Sequence, residues 1–215
     1  SDIKQAIAIQ DLPIYTQLEG DIHYLKQDFN SALASYKKVN ESNIRSASTI
    51  FTEAKTLEML ETPTQEVLVL MDSCVAQFNK PYSADAAPYL IERARVRMEA
   101  KQARNAVLDY DDCFAALLGN VNDGFYNLRG QACLESKQYQ RALDDFTKAI
   151  ELNPRELTYY SELAYVNMRV GRNQEAIDVL KKSLKIDAAY AEGFRLIGVA
   201  YLQLKQNAEA CEYFN

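Results

Sequence analysis

The feature that most constrains this 215-residue chain is a repeat of 34 positions in its C-terminal half. Four kinds of side chain recur at that spacing: a large aromatic residue, a small residue, an alanine and a large apolar residue. The four sets are Tyr126, Tyr160 and Phe194; Gly130, Ala164 and Gly198; Ala142, Ala176 and Ala210; and Phe146, Leu180 and Phe214. Self-similarity at a fixed period of about 20–50 residues is typical of stacked repeats, so this spacing predicts a solenoid.

Each period contains two amphipathic stretches that predict a helix hairpin. Between Ala142 and Ile150 the apolar residues follow helical spacing, and the polar turn Ser136–Gln138 separates this stretch from the one before it. The chain has only seven glycines and five prolines, too few for the closely spaced turns of an all-β fold. The sequence therefore predicts an all-α protein.

The stretch GQACLESKQYQRALDDFTKAIELNP resembles the tetratricopeptide (TPR) repeat. The family has a large residue, a leucine and a small residue in the first helix (A helix), and alanine, an aromatic residue and alanine in the second (B helix). Tyr126, Gly130 and Phe146 fit this pattern, whereas Arg129 stands where the family has leucine. The resemblance implies a right-handed superhelical solenoid of antiparallel helix hairpins, with about five full repeats and partial terminal ones.

The resemblance extends, less strongly, over nearly the whole chain. We expect the tail of a preceding repeat at 1–12, repeat 1 at 13–46, a degenerate repeat 2 with a linker at 47–86, repeat 3 at 87–122, repeat 4 at 123–156, repeat 5 at 157–190 and a partial repeat 6 at 191–215. Neither end carries the polar cap that closes such arrays, so we expect the chain to be part of a longer array.

The resemblance also implies a function, because the A helices of this family line a concave groove that binds a protein or peptide. Carrying the family's groove positions over to this chain gives a larger set of A-helix residues that includes Glu92, Glu162 and Met168. The predicted partner-binding residues among them are Tyr24, Phe51, Lys55, Arg95, Met98, Asn127, Gln131, Ser161, Tyr165, Arg169 and Arg195. Tyr, Arg and Met are typical interface residues. At helical spacing, the same side chains could instead form the core between repeats.

One subtype of the family binds a C-terminal carboxylate with lysine, asparagine and arginine side chains. The matching positions here are Asn127, Gln131, Glu162, Glu192 and Leu196. Two acidic residues in these positions would repel a carboxylate, so the sequence argues against this subtype.

Residues suited to catalysis or metal binding are sparse. His23 is the one histidine, the four cysteines form no CxxC pair, and no phosphate-binding glycine loop is present. The sequence thus predicts no enzyme and no cofactor, with cysteines packed as small apolar residues. Asp144 and Asp145 are adjacent on a helix, and both are expected to face solvent.

Charge and hydropathy argue against two further classes of partner, nucleic acids and membranes. Thirty acidic residues against 24 basic ones argue against nucleic acid, and no stretch approaches the roughly 20 apolar residues of a membrane span. The favoured function is a non-catalytic scaffold or adaptor. The alternative is a structural or self-associating segment, through uncapped terminal repeats, of a protein whose activity lies elsewhere. The compartment stays open between cytoplasm, periplasm and export.

Overall fold

The computed structural model describes residues 13–41 and 46–214. Over these ranges the chain forms twelve α-helices, one short 3-10 turn at Ala84–Ala86 and no β-strand. The helices are α1 Pro13–Leu25, α2 Phe29–Glu41, α3 Ala47–Met59, α4 Thr64–Val75, α5 Ala87–Glu99, α6 Ala103–Ala116, α7 Asp123–Glu135, α8 Tyr139–Leu152, α9 Leu157–Arg169, α10 Asn173–Ile186, α11 Ala191–Gln203 and α12 Asn207–Phe214. The predicted all-α array of helix hairpins is confirmed. The predicted repeat tail at 1–12 lies outside the described residues.

The chain divides into two compact units at residues 118 and 119. Unit 1 holds the hairpins α1–α2, α3–α4 and α5–α6, and unit 2 holds α7–α8, α9–α10 and α11–α12. Within each unit the B helix of one hairpin packs against the A helix of the next. This packing buries small apolar clusters, such as the one that contains Ala164, Ile177 and Ile197 in unit 2.

Side chains that satisfy free backbone N–H groups mark several helix starts. The Ser46 hydroxyl accepts a hydrogen bond from the Thr49 N–H at 3.2 Å, and Asn122 Oδ1 accepts one from the Phe125 N–H at 2.9 Å. Two positions after the last residue of each A helix, the turn contains a residue with positive φ. These residues are Gln27, Glu61, Lys101, Lys137, Gly171 and Lys205. Only one of the six is glycine, so five of these turns carry no glycine signal in the sequence.

In each of the two hairpins described next, a small residue of the A helix packs against a large side chain of the B helix. A Cβ atom added to Gly130 would lie 2.9 Å from Cε1 of the Phe146 ring, and one added to Gly20 would lie 2.7 Å from Cε1 of Tyr36. The ring therefore occupies the space that a side chain would need, which is why the two helices approach so closely.

Arg129, at the position where the family has leucine, forms a buried ion pair with Asp145. Arg129 Nε lies 3.0 Å from Asp145 Oδ2, and Nη2 lies 2.7 Å from Oδ1. Arg93 and Asp109 form the same two-pronged pair in unit 1. The expectation that Asp145 faces solvent is therefore wrong: only 4% of this residue is exposed, whereas Asp144 is exposed. Neighbours on a helix diverge by about 100°, and this angle separates the two carboxylates.

Three of the four cysteines pack in the core as expected. Cys74, Cys113 and Cys133 are buried free thiols, and burial raises the pKa of Cys74 and of Cys113 to about 11. Such thiols are poor nucleophiles because little thiolate forms at neutral pH. Cys211 departs from the expectation, since it is exposed on α12.

Candidate functional site

In unit 1, the predicted groove residues Lys55 on α3 and Arg95 on α5 belong to one ion-pair network. Lys55 Nζ lies 2.7 Å from Oε1 of Glu92 and 2.6 Å from Oε2 of Glu58. Arg95 Nη2 lies 2.6 Å from Glu92 Oε1, and Arg95 also pairs with Glu58 and Glu99. Both predicted cations are thus already engaged by carboxylates of the chain itself.

The ion pairs and hydrogen bonds of this network outweigh the cost of burying its charged groups. Burial alone would raise the pKa of Glu92, but the hydrogen bonds from Arg95 and Lys55 outweigh it and hold that pKa below its ordinary value. Burial alone would likewise lower the pKa of Lys55, and its bonds to Glu58 and Glu92 raise it instead. Glu92 and Lys55 are therefore both ionised at neutral pH. A cleft of about 280 Å³ adjoins them, lined by Lys55, Glu58, Thr62, Thr64, Val67, Arg95 and Glu99.

The other predicted residues of unit 1 pack partly against neighbouring side chains. The Tyr24 ring meets Phe29 edge to face at 5.5 Å between centroids, and Phe51 meets Tyr89 in the same way at 5.3 Å. Met98 is half-buried on α5. These three side chains contribute to packing, and each still presents part of its surface to solvent.

In unit 2, the A helices α7 and α9 are linked through polar side chains. Gln131 Nε2 donates to Glu162 Oε1 at 3.3 Å, and Asn127, one turn earlier on α7, has a buried Oδ1 without a hydrogen-bond donor. The Ser161 and Tyr190 hydroxyls share a hydrogen bond of 2.7 Å. Glu162 is half-buried, and burial raises its pKa above the ordinary value.

Most of the remaining predicted residues of unit 2 are open to solvent. Tyr165 is 42% exposed, and the Arg169 guanidinium carbon lies 6.0 Å from its ring centroid. Arg195 pairs with Glu192 one turn away on α11, at 2.6 Å, with 57% of its side chain exposed. Met168 is different: it is only 8% exposed and belongs to the hydrophobic core, so its predicted groove position is wrong. We call Asn127, Gln131, Ser161, Glu162, Tyr165, Arg169 and Arg195 the A face of unit 2.

The side chains that could act in catalysis or bind a metal ion do not cluster within the described part of the chain. His23 Nδ1 lies 3.2 Å from Asp28 Oδ2 on the turn after α1. Over the residues that the structure describes, no group of His, Cys, Asp and Glu side chains is arranged to hold a metal ion. None of the described helices is long and apolar enough to cross a membrane.

Two adjacent segments of the chain match the family model of the tetratricopeptide repeat, at residues 125–156 and 157–190. The small glutamine-rich tetratricopeptide repeat-containing protein 2 of Mycosarcoma maydis is 32% identical over 85 residues, 40% of this chain and 24% of that protein. The mouse BBSome complex member BBS4 is 26% identical over 183 residues, 85% of this chain and 34% of that protein. The chain thus spans about a quarter to a third of the length of these relatives.

Solved structures have the same fold at low sequence identity. The MamA protein of Desulfovibrio magneticus RS-1, from residue 41 to its end, superposes with a TM-score of 0.70 at 17% identity, covering 84% of this chain and 98% of that one. YrrB, described as a TPR protein with an unusual peptide-binding site, superposes with a TM-score of 0.63 at 19% identity, covering 83% and 88%.

Proposed function

We propose that the chain, whose residues 125–156 and 157–190 match the tetratricopeptide repeat, is a non-catalytic scaffold or adaptor that binds a peptide or helix of another protein. Stacked repeats of this kind present extended surfaces that bind other proteins. We place the binding surface on the A face of unit 2, and the mechanism is the presentation of preformed helices rather than any reaction.

The observation that carries this proposal is the exposure of Tyr165 and Arg195 on consecutive A helices. Tyrosine and arginine are enriched among the few residues that dominate binding energy in protein interfaces, because each combines a large contact area with hydrogen-bonding groups. The predicted groove residues of unit 1 support binding less well. Lys55 and Arg95 each pair with two or more carboxylates, whereas Arg195 pairs with Glu192 of its own helix and keeps 57% of its side chain exposed.

We expect the double variant Tyr165→Ala, Arg195→Glu to lose at least about 10-fold in affinity for peptides that the native chain selects from a random phage-displayed library. The matched control is Lys182→Glu, which reverses an exposed charge on the B helix α10 and should bind like the native chain. Affinities are measured by fluorescence anisotropy, after circular dichroism has established that the variants are folded. No selected peptide, or equal binding by all three proteins, would contradict the proposal.

A second candidate function is self-association, and one observation at each end of the described chain favours it. Ile22 on α1 is 44% exposed, whereas its equivalents in the other five A helices are fully buried. These are Thr56, Val96, Ala132, Val166 and Ala200. Phe214 on α12 is 50% exposed, whereas its equivalents Tyr36, Met71, Tyr110, Phe146 and Leu180 are at most 1% exposed. We propose that α1 of one copy packs on α12 of a second, as adjacent hairpins do.

This contact predicts a molar mass that rises with protein concentration in size-exclusion chromatography with light scattering. Ile22→Glu should hold the chain monomeric, because it places a charge in the apolar contact. Leu25→Glu is the matched control, since Leu25 is 82% exposed and its equivalents in the other A helices are also exposed. A native chain that stays monomeric at every concentration would exclude self-association.

A further inference from the structure

Unit 1 shows how this array accommodates a carboxylate at the sixth position of a repeat. Glu92 occupies that position on α5 and lies between two cations. Lys55 reaches it from the ninth position of the preceding A helix, and Arg95 reaches it from the ninth position of its own helix. The half-buried charge of Glu92 is therefore fully compensated from within the chain.

Unit 2 has the same carboxylate without the cations. Glu162 stands at the sixth position of its repeat, where unit 1 has Glu92. Gln131 occupies the position of Lys55 and Tyr165 occupies the position of Arg95. Gln131 makes the equivalent contact between A helices, at 3.3 Å, but it brings a neutral amide. Among the described residues, Glu162 has no ion pair and no nearby charge that shifts its titration.

The uncompensated carboxylate is unfavourable for folding. Burial raises the pKa of Glu162, whereas ion pairing holds the pKa of Glu92 below its ordinary value. An acid that ionises less readily in the folded state lowers stability once the pH exceeds its unfolded pKa, so Glu162 costs stability at neutral pH. Residues that a fold would be more stable without are concentrated at functional sites.

We propose that Glu162 anchors a lysine or arginine side chain of the bound protein segment. The partner's cation would take the place that Lys55 and Arg95 fill beside Glu92. Tyr165, one turn from Glu162, is 42% exposed; the Arg169 guanidinium carbon lies 6.0 Å from its ring centroid, and the solvent-exposed part of the ring can hold a further ammonium or guanidinium group. The inference rests on the proposed function and adds to it the chemistry of the partner: a segment with a lysine or arginine at the position that meets Glu162.

The test is the same random-peptide selection, carried out with the native chain, with Glu162→Gln and with the matched control Glu175→Gln. Glu175 is an exposed carboxylate on α10 of the same hairpin. We expect the native chain and the control to select peptides enriched in lysine or arginine at one position. A selected peptide should bind Glu162→Gln about 10-fold to 100-fold more weakly, the loss typical of a charge-assisted hydrogen bond.

Charge reversal gives the sharper comparison. Glu162→Lys should bind a version of the selected peptide in which its basic residue is replaced by glutamate more tightly than the native chain does. The inference would be overturned if the selected peptides were not enriched in lysine or arginine, or if Glu162→Gln bound them as tightly as the native chain does. Either result would leave the proposed binding function intact. Failure to select any peptide would overturn both.

A measurement of stability separates anchoring from a structural role. Because Glu162→Gln removes a poorly solvated charge and keeps the side-chain shape, its Tm at neutral pH should equal or exceed that of the native chain. A Tm several degrees below the native value would identify Glu162 as a structural residue and overturn the inference.

Discussion

Asp145→Val is expected to lower the free energy of unfolding by about 3–5 kcal/mol, because it removes the buried carboxylate to which the Arg129 guanidinium donates two hydrogen bonds. Both partners are largely inaccessible to solvent, with 13% and 6% of the two side chains exposed. The Arg129 guanidinium also lies over the Phe125 and Tyr126 rings, at 5.9 and 5.7 Å, so it cannot reach water without disrupting the packing of α7.

The next hairpin supplies the apolar replacement for this pair. In that hairpin, Leu163 stands at the position of Arg129 and Val179 at the position of Asp145, so two apolar side chains replace the ion pair. The double variant Arg129→Leu, Asp145→Val should therefore recover stability to within about 1 kcal/mol of the native chain or exceed it. Urea unfolding followed by circular dichroism measures both changes. A double variant as unstable as the single one would show that the ion pair is not the cause.

Asp144→Val is the matched control for this experiment. Asp144 precedes Asp145 on α8 but is exposed, and its one described contact is a hydrogen bond from Gln140. A surface substitution of this kind usually changes the free energy of unfolding by less than about 0.5 kcal/mol. The contrast between adjacent aspartates would isolate the effect of burial.

Gly130→Ala is expected to destabilise the chain by about 1–3 kcal/mol, although alanine favours helices more than glycine does. The new Cβ would lie 2.9 Å from the Phe146 ring. Phe146 is fully buried, so its ring has no space into which to move. The overpacking therefore outweighs the gain in helix propensity.

Gly198→Ala provides the control for this prediction, because the same contact occurs there with a mobile partner. Its Cβ would lie 2.6 Å from the Phe214 ring, which is half-exposed and can turn away into solvent. We expect this variant to be neutral or up to about 1 kcal/mol more stable. Thermal unfolding of both variants decides the matter. Equal destabilisation would mean that glycine is required by the backbone and not by the ring.

The sequence by itself determined the architecture, because a period is visible without any contact being known. The spacing of 34 positions predicted the helix hairpins, and Gly130 opposite Phe146 follows from it. Most of the turns that follow the A helices could not be predicted from the sequence. Of the six positive-φ residues in these turns, five are not glycine, since the turn is imposed by the packing of the two helices and not by the local preference of the chain.

Only the tertiary structure decided which charges and side chains are free to meet a partner. Lys55 forms an ion pair with Glu92, 37 positions away, whereas Glu162 accepts a hydrogen bond from the neutral amide of Gln131, 31 positions away. The sequence places each of these residues on an A helix. Which carboxylate is compensated depends on the side chain that the adjacent A helix brings within about 3 Å of it, and this pairing exists only once the hairpins have stacked.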